Sequence, residues 1–193
     1  EPAPPRPLAP SRPADDEPPV RSPLGADDGA RFKRGRLIHR LLQSLPELPP
    51  GDRAGAAAAY LARPVHGLSE AQRAEIAAET MAVLEHPDHG PLFGPGSRPE
   101  VSLCGVVSGY AISAQVDRLL VGEREVWVVD YKTNRPPPAS EDEVPALYLR
   151  QMAAYREALR GVYPGRPVRA LLLWTDGPRL MALSDRLFDR HAP

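Results

Sequence analysis

Cysteine is nearly absent from this chain: its 193 residues include only Cys104. A single cysteine excludes both a disulfide and a cysteine-bound metal cluster within the chain. Free cysteines are among the most buried residue types, so we expect Cys104 to be a small buried residue. A chain without disulfides suits a reducing compartment, and we therefore expect a cytoplasmic protein.

Long apolar runs, an ATP-binding loop and a dominant sign of charge are also missing. No run approaches the roughly 18 residues that span a membrane, and no signal-peptide pattern opens the chain, so we expect no membrane partner. No G-x₄-G-K-[ST] occurs, and we do not expect this chain to hydrolyse ATP. With 24 basic and 25 acidic residues, the net charge is -1. This balance argues mildly against an independent, tight DNA-binding protein, because phosphate contacts favour basic domains.

Proline is abundant, and it is concentrated at the start of the chain. Nine of the 25 prolines lie in residues 1–28, among alternating acidic and basic residues. Neither a helix nor a sheet can use such a segment, so we expect an extended linker over 1–28 and one domain over 29–193. A docking segment that lies across a partner is the alternative. The first residue is Glu1, not Met, and we expect a piece cut from a longer polypeptide.

Apolar spacing predicts four principal helices. From Arg31 a stripe with helical period runs until Pro46 ends it. Two further helices are predicted over 54–62 and 69–85, the second with Ser69 as its N-cap. The fourth is predicted over 144–159, and 185–190 is expected to add one last helical turn. The stripe of the first helix consists of Leu37, Ile38, Leu41, Leu42 and Leu45.

The most informative stretch runs from Tyr110 to Asn134 and predicts two strands joined at Gly122-Glu123. Side chains of a strand alternate faces, so Asp130 and Lys132 share one face while Tyr131 points away. A carboxylate and an ammonium at the end of an apolar strand are costly to bury unless they are paired or bind a metal. Pairing between the strands would bring Asp117 close to Asp130.

Two carboxylates beside one lysine suit Mg²⁺, which prefers oxygen ligands. With the metal, Lys132 would orient a water or stabilise charge on a phosphate, so the pattern permits phosphodiester hydrolysis. A surface hairpin that ends in a solvated Asp130–Lys132 pair explains the same spacing equally well. We expect Mg²⁺ as the cofactor, with Mn²⁺ as a possible substitute.

Shorter strands complete an α/β pattern. A first strand is expected at Glu100–Leu103, with Ser108 and Gly109 forming the turn into the hairpin. Another strand at 168–175, the turn Asp176-Gly177 and a return strand at 179–183 follow the last long helix. We expect a central mixed sheet flanked by helices, with a helical N-terminal part. In the loop after Lys132, Asn134 or Arg135 would touch phosphates, or the loop is a plain exit.

Three segments resemble, in order and spacing, the PD-(D/E)xK nucleases of the RecB type. They are G-Y-x₆-D-R-L (109–119), V-V-D-Y-K-T-N (128–134) and Q-M-A-A-Y (151–155). Within that group the chain is most similar to the C-terminal nuclease domain of AddA, a helicase-nuclease subunit that processes broken DNA ends. The resemblance covers about residues 31–184 and implies a restriction-endonuclease-like fold.

The resemblance also assigns roles to residues. The segment G-R-L-I-H-R-L-L (35–42) looks like the family's N-terminal helix, whose histidine is a metal ligand. By this likeness the divalent metal is bound by His39, Asp117, Asp130 and the backbone carbonyl of Tyr131, and Lys132 assists the attacking water. Gln151 and Tyr155 belong to a QxxxY motif that positions the substrate strand and the active-site residues, and Glu100 has a supporting role.

For function, the resemblance implies an exonuclease that cuts the 3′-terminated strand during double-strand break repair and recombination. Its expected partners are DNA, the remainder of an AddA-like polypeptide and an AddB-like subunit. Two alternatives stay open. One is a non-catalytic module that braces the complex or holds DNA, and the other is a stand-alone RecB-like exonuclease without a motor.

Overall fold

The protein was analysed as a computed structural model that describes residues 6–8, 28–107 and 110–191. Within these ranges the chain forms six β-strands and five α-helices, joined in part by short 3₁₀ turns. No helix among the described residues is both long and apolar enough to cross a membrane. The strands are β1 (Arg6–Leu8), β2 (Ser97–Val107), β3 (Tyr110–Val121), β4 (Val126–Lys132), β5 (Val168–Trp174) and β6 (Arg179–Ala182). The helices are α1 (Asp28–Ser44), α2 (Pro50–Leu61), α3 (Glu70–Glu85), α4 (Ala146–Val162) and α5 (Asp185–His191).

The strands form one mixed sheet centred on β3, β4 and β5. The β2, β3 and β4 strands pair antiparallel in succession, β5 is parallel to β4, and β6 is antiparallel to β5. The parallel step requires a crossover, and α4 supplies it. The sheet predicted from the sequence is therefore confirmed, including its mixed character.

The helices follow the predicted positions with shifts at their ends. The α1 helix begins at Asp28 and ends just before the 3₁₀ turn that contains Pro46. In α3, the Ser69 side chain accepts from Gln72 N–H while the Gln72 side chain accepts from Ser69 N–H. This reciprocal cap satisfies two backbone donors that the helix itself leaves unpaired. Ser69 is thus the N-cap that the sequence predicted.

The sheet separates two apolar cores. The strands β4 and β5 alternate between them: Val128 and Leu172 face α4 and α5, whereas Val129 and Leu171 face α1, α2 and α3. Both faces of these strands are buried, which explains their nearly continuous apolar sequence. The two cores are built on the same strands, so the end of β4 lies between the two helical layers.

Two expectations about single segments are wrong. Arg6–Leu8, in the predicted linker, forms a strand parallel to Tyr110–Ile112. It can do so because β4 pairs only with Arg118–Val121, which leaves an edge of β3 open further up the strand. Cys104 is exposed, not buried. It lies on β2, whose neighbouring residues 104–106 all face solvent.

The remaining segments differ mainly in length. The first strand after the helices is longer than Glu100–Leu103 and runs over all of β2. The predicted turn at Ser108 and Gly109 lies outside the described residues.

Candidate active site

The end of β4 carries the predicted carboxylate and ammonium on one face. Lys132 Nζ lies 2.7 Å from Asp130 Oδ2, and the side chains of both are largely buried, at 13% and 7% exposure. Tyr131 between them points to the opposite layer and packs with α1. A solvated surface pair is therefore excluded, although the Asp130–Lys132 ion pair itself is present.

The α4 helix brings Gln151 and Tyr155 to this pair. Lys132 Nζ donates to Gln151 Oε1 at 2.9 Å, and Gln151 Nε2 donates to the Tyr155 hydroxyl at 2.8 Å. Gln151 Nε2 also lies 3.4 Å from Asp130 Oδ1. Residues four apart share one face of a helix, which is why both side chains reach the strand end. The two motifs that are separate in sequence thus form one hydrogen-bonded chain.

Asp117 and His39 meet on the more open side of the same strand end. His39 Nδ1 lies 3.1 Å from Asp117 Oδ1, and Tyr131 N–H donates to Asp117 Oδ2 at 2.6 Å. The register pairs Arg118 with Val129, so the next positions, Asp117 and Asp130, lie opposite each other. The structure therefore places the predicted side chains at one strand end in two contact groups, His39 with Asp117 and Lys132 with Asp130 and Gln151. We call Asp117, Asp130, Lys132, Gln151 and His39 the strand-end site.

The electrostatics of this site favour an additional positive charge. Burial raises the pKa of Asp130, and the nearby Asp117 carboxylate raises it further, although Lys132 acts in the opposite direction. Burial lowers the pKa of His39, but the charge and hydrogen bond of Asp117 outweigh it and the net pKa is raised. The pKa of Lys132 is also raised, because attraction to Asp130 exceeds the effect of burial.

Glu100 adds a third carboxylate at the edge of the site. It falls between the paired positions Pro99–Arg118 and Val101–Val116, and so lies across from Asp117. Burial and the charge of Asp117 raise its pKa. Its φ of 52° is in the left-handed region, where a residue with a side chain is strained. A strained backbone conformation persists only where the surrounding structure holds the residue in place, and such residues cluster at functional sites.

Tyr148 is a contact of the site that the sequence analysis missed. Its ring lies 3.9 Å from Lys132 Nζ, and its hydroxyl donates to Asn134 Oδ1 at 3.2 Å. It precedes Gln151 by three positions, so helical spacing places it on the face of α4 that already carries the QxxxY motif. The helical interval from Tyr148 to Gln151 was the available signal, but the prediction from sequence applied helical spacing only to Gln151 and Tyr155.

Arg118, the middle residue of the D-R-L segment, has a structural role. Its buried guanidinium donates to the Tyr131 hydroxyl at 2.7 Å, to Leu42 O at 2.9 Å and to Ser97 Oγ at 3.0 Å. These bonds join the end of α1, the start of β2 and the end of β4. Its partners could not be predicted from the sequence, because all of them are distant in the chain.

A second charged cluster holds the loop that leaves β4. Glu79 of α3 is bound by Arg34 of α1 and by Arg135, whose Nη2 lies 2.5 Å away. Thr175 Oγ1 donates to the same carboxylate at 2.5 Å, and Arg135 also pairs with Glu75. We call Arg34, Glu75, Glu79, Arg135 and Thr175 the anchor cluster. Because Arg135 is bound by two glutamates, the exit-loop interpretation fits it better than phosphate contact.

The anchor cluster also fixes the backbone at Lys132 and Thr133. Arg34 Nη1 donates to Thr133 O at 3.0 Å, and Thr175 N–H donates to Lys132 O at 3.0 Å. A Cβ at Gly35 would lie 3.1 Å from Thr133 Oγ1, so the glycine permits this close approach of α1. The helix that carries His39 and the strand that carries Lys132 are thereby tied together.

Among the described residues, no three His, Cys, Asp or Glu side chains are gathered as a finished metal site. The reason is local: Asp130 is turned to Lys132, and Asp117 to Tyr131 N–H and His39. The chemistry of the donors nevertheless fits a divalent cation, since carboxylates and an imidazole border a site whose buried carboxylate has a raised pKa.

Comparisons with solved structures return distant similarities. A protein of Eubacterium rectale described as a "putative exonuclease" is 13% identical with a TM-score of 0.42; the match covers 61% of this chain. This chain spans only 48% of the length of that protein. The structure of SSO0001 is 14% identical with a TM-score of 0.36, and covers 84% of this chain and 82% of its own. These similarities are too weak to carry an argument.

The family assignment comes from the sequence. No curated protein matches the chain significantly. The family model described as the PD-(D/E)XK nuclease superfamily matches residues 20–184, which include every residue of the strand-end site. The chain belongs to the PD-(D/E)XK nuclease superfamily.

Proposed function

We propose that this domain is a metal-dependent DNA nuclease whose active centre is the strand-end site. The observation that carries the proposal is the buried Asp130–Lys132–Gln151 chain opposite Asp117. An Asp130–Lys132 ion pair alone does not require a second carboxylate, such as Asp117, that raises the pKa of Asp130. A site that binds a cation and a phosphodiester requires such a second carboxylate.

His39, Asp117 and Asp130 would hold the metal, together with the carbonyl of Tyr131. Mg²⁺, or Mn²⁺ in its place, supplies polarisation of the phosphate and a bound water of lowered pKa. Lys132 is held charged by Asp130 and faces the site, so its ammonium stabilises negative charge that develops on the phosphate. Gln151 fixes the position of that ammonium, and Tyr155 fixes Gln151.

The finer context follows the resemblance of the sequence motifs. We propose that the domain acts as an exonuclease in an AddA-like helicase-nuclease, with an AddB-like subunit as partner, in double-strand break repair and recombination. The net charge of -1 supports this setting, because a motor that delivers the strand relieves the domain of binding DNA tightly by itself.

The test is cleavage of end-labelled DNA in Mg²⁺ by the wild type and by Lys132→Ala. We expect the wild type to cut and the variant to lose at least 100-fold in rate, since the charge stabilisation by one such group is of that order. Equal cutting by both would assign the chemistry elsewhere and leave this domain as a brace or a DNA holder.

A further inference from the structure

The first helix is basic in a chain that is not. The α1 helix contains five basic side chains and one acidic one, Asp28 at its first position, although the net charge of the chain is -1. Arg34 is turned inward to Glu79, as described above. Arg36 and Arg40 are exposed and Lys33 is partly exposed. A local basic stripe on an otherwise neutral domain is typical of a surface that binds phosphates.

Helical spacing aligns this stripe with the strand-end site. Phe32, Arg36 and His39 follow one another at intervals of four and three residues, so they share one face of α1. Seven residues of helix span about 10.5 Å, which is the distance along the axis from Phe32 to His39. Lys33 and Arg40, seven residues apart, lie together along one side of this face. The charge of Arg40 acts on the pKa of Glu100, which places the end of the stripe at the rim of the site.

Phe32 is unusual among the phenylalanines of the chain. Its exposure is 56%, whereas Phe188 is buried and Phe93 packs against Arg118. Neither Phe32 nor Arg36 makes a ring contact, hydrogen bond or ion pair with the part of the chain that the structure describes. One exposed aromatic ring is ordinary by itself. Beside a row of cations that leads to His39, it matches how single strands are bound, with bases stacked on rings and phosphates on cations.

We propose that the face Phe32–Arg36–His39, with Lys33 and Arg40 along one side of it, is the track that receives single-stranded DNA. A base stacks on Phe32, Arg36 binds a phosphate, and the strand continues to the strand-end site. A single strand fits better than a duplex, because paired bases do not offer their faces to a ring. This inference rests on the proposed function and specifies where its substrate lies.

The experiment uses the full chain with Phe32→Ala and Arg36→Ala. Arg124→Ala is the matched control, since Arg124 is exposed in the turn at the opposite end of β4. Affinity for a fluorescent 30-nucleotide oligothymidylate is measured by anisotropy in Ca²⁺, over a series of salt concentrations. Cleavage of the oligonucleotide and of the small ester thymidine 5′-(p-nitrophenyl phosphate) is measured in Mg²⁺.

We expect Phe32→Ala and Arg36→Ala each to weaken oligonucleotide binding about ten-fold, and Arg124→Ala to leave it unchanged. Arg36→Ala should flatten the slope of log affinity against log salt by about 0.7, the value for one phosphate contact on a single strand. Phe32→Ala should leave that slope as it is. Turnover of the small ester should not change in either variant, because the ester does not reach Phe32.

Three results would overturn the track. They are wild-type affinity in both variants, an equal loss in Arg124→Ala, and an equal loss for a blunt duplex in Phe32→Ala. A fall in ester turnover that matches the fall in affinity would also contradict it, because the variants would then disturb the site itself. If the wild type cleaves neither substrate, the proposed function fails, while anisotropy still decides whether the track binds a single strand.

Discussion

The two charged clusters at the end of β4 differ in how their carboxylates are balanced. In the anchor cluster, the buried Glu79 has two arginines and the Thr175 hydroxyl as partners. In the strand-end site, the buried Asp130 has one lysine and faces a second carboxylate, Asp117. The first arrangement is complete with the chain's own residues. The second places two carboxylates beside one lysine and one histidine.

The directions of the pKa shifts express the same difference. In the anchor cluster, the hydrogen bond from Arg135 lowers the pKa of Glu75. In and beside the strand-end site, burial raises the pKa of Asp130 and that of Glu100. A charged carboxylate is thus favoured in one cluster and disfavoured in the other. Carboxylates whose charged form is disfavoured by burial are candidates for a functional site, and on this ground the comparison favours the strand-end site.

The largest expected effect comes from the strand-end site. Asp130→Asn keeps the shape of the strand end, but it replaces one acceptor oxygen by an amide nitrogen and removes the charge that a metal would bind. Metal polarisation contributes several kcal/mol, so we expect cleavage in Mg²⁺ to fall by at least about 100-fold. Thermal unfolding followed by circular dichroism should show that the fold is retained. Loss of folding would instead mean that Asp130 is a structural residue.

The anchor cluster should respond in stability. Glu79→Gln leaves Arg34 and Arg135 without their shared buried anion, and we expect a loss of about 3 kcal/mol in the free energy of unfolding, measured in urea. The control is Glu75→Gln, which removes a partner of the same arginine at a side chain that is 49% exposed. That change should cost under about 1 kcal/mol. Equal losses would show that the buried carboxylate is not the centre of the cluster.

Mg²⁺ should stabilise the protein in a pH-dependent way. Since the folded-state pKa values of Asp130 and Glu100 are raised, their protonated forms favour folding below about pH 4, and this contribution is lost as pH rises through the folded values. A metal that binds the charged carboxylates stabilises the folded protein at higher pH, where these carboxylates are ionised. At one hundred times its Kd, Mg²⁺ should add about 2.7 kcal/mol at pH 8 and much less at pH 5. Urea unfolding with and without Mg²⁺ measures the gain in the free energy of unfolding at pH 8 and at pH 5. An equal gain at the two pH values would contradict the account.

The smallest effect is expected at Glu100. In buffer without metal, Glu100→Gln removes the repulsion from Asp117 across the strand pair, and we expect a gain of under about 1 kcal/mol at pH 7. The gain should vanish below about pH 4, because the pKa of Glu100 is raised and its carboxyl is then uncharged. Differential scanning calorimetry at the two pH values decides the point. A loss of stability at pH 7 would show that Glu100 makes a favourable contact there.

The sequence predicted the elements well where a local rule governs them. Ser69 could be identified as a cap and Asp130 and Lys132 as neighbours on one face, because capping and strand alternation depend on adjacent residues. The meeting of Asp117 with Asp130 followed from the register of one hairpin. The role of His39 came only from the resemblance, since no local pattern says which strand a helix will contact.

What the sequence did not predict depends on distant pairing. The partners of Arg118 lie on α1, on the segment before β2 and on β4, and those of Glu79 lie on α1 and in two loops. The exposure of Cys104 depends on β2 being at the edge of the sheet. Arg6–Leu8 became a strand because β4 leaves part of β3 unpaired. None of these contacts has a signature within a short window of residues.

The central claim is that the strand-end site binds a metal and is not only an ion pair. The most direct measurement is isothermal titration calorimetry of the full chain with Mn²⁺, using the wild type, Asp117→Asn and Glu75→Gln. We expect the wild type and Glu75→Gln to bind Mn²⁺ alike and Asp117→Asn to lose that binding, because the asparagine can still accept from Tyr131 N–H but carries no charge. Equal Mn²⁺ binding by Asp117→Asn and the wild type, or none by the wild type, would contradict the account.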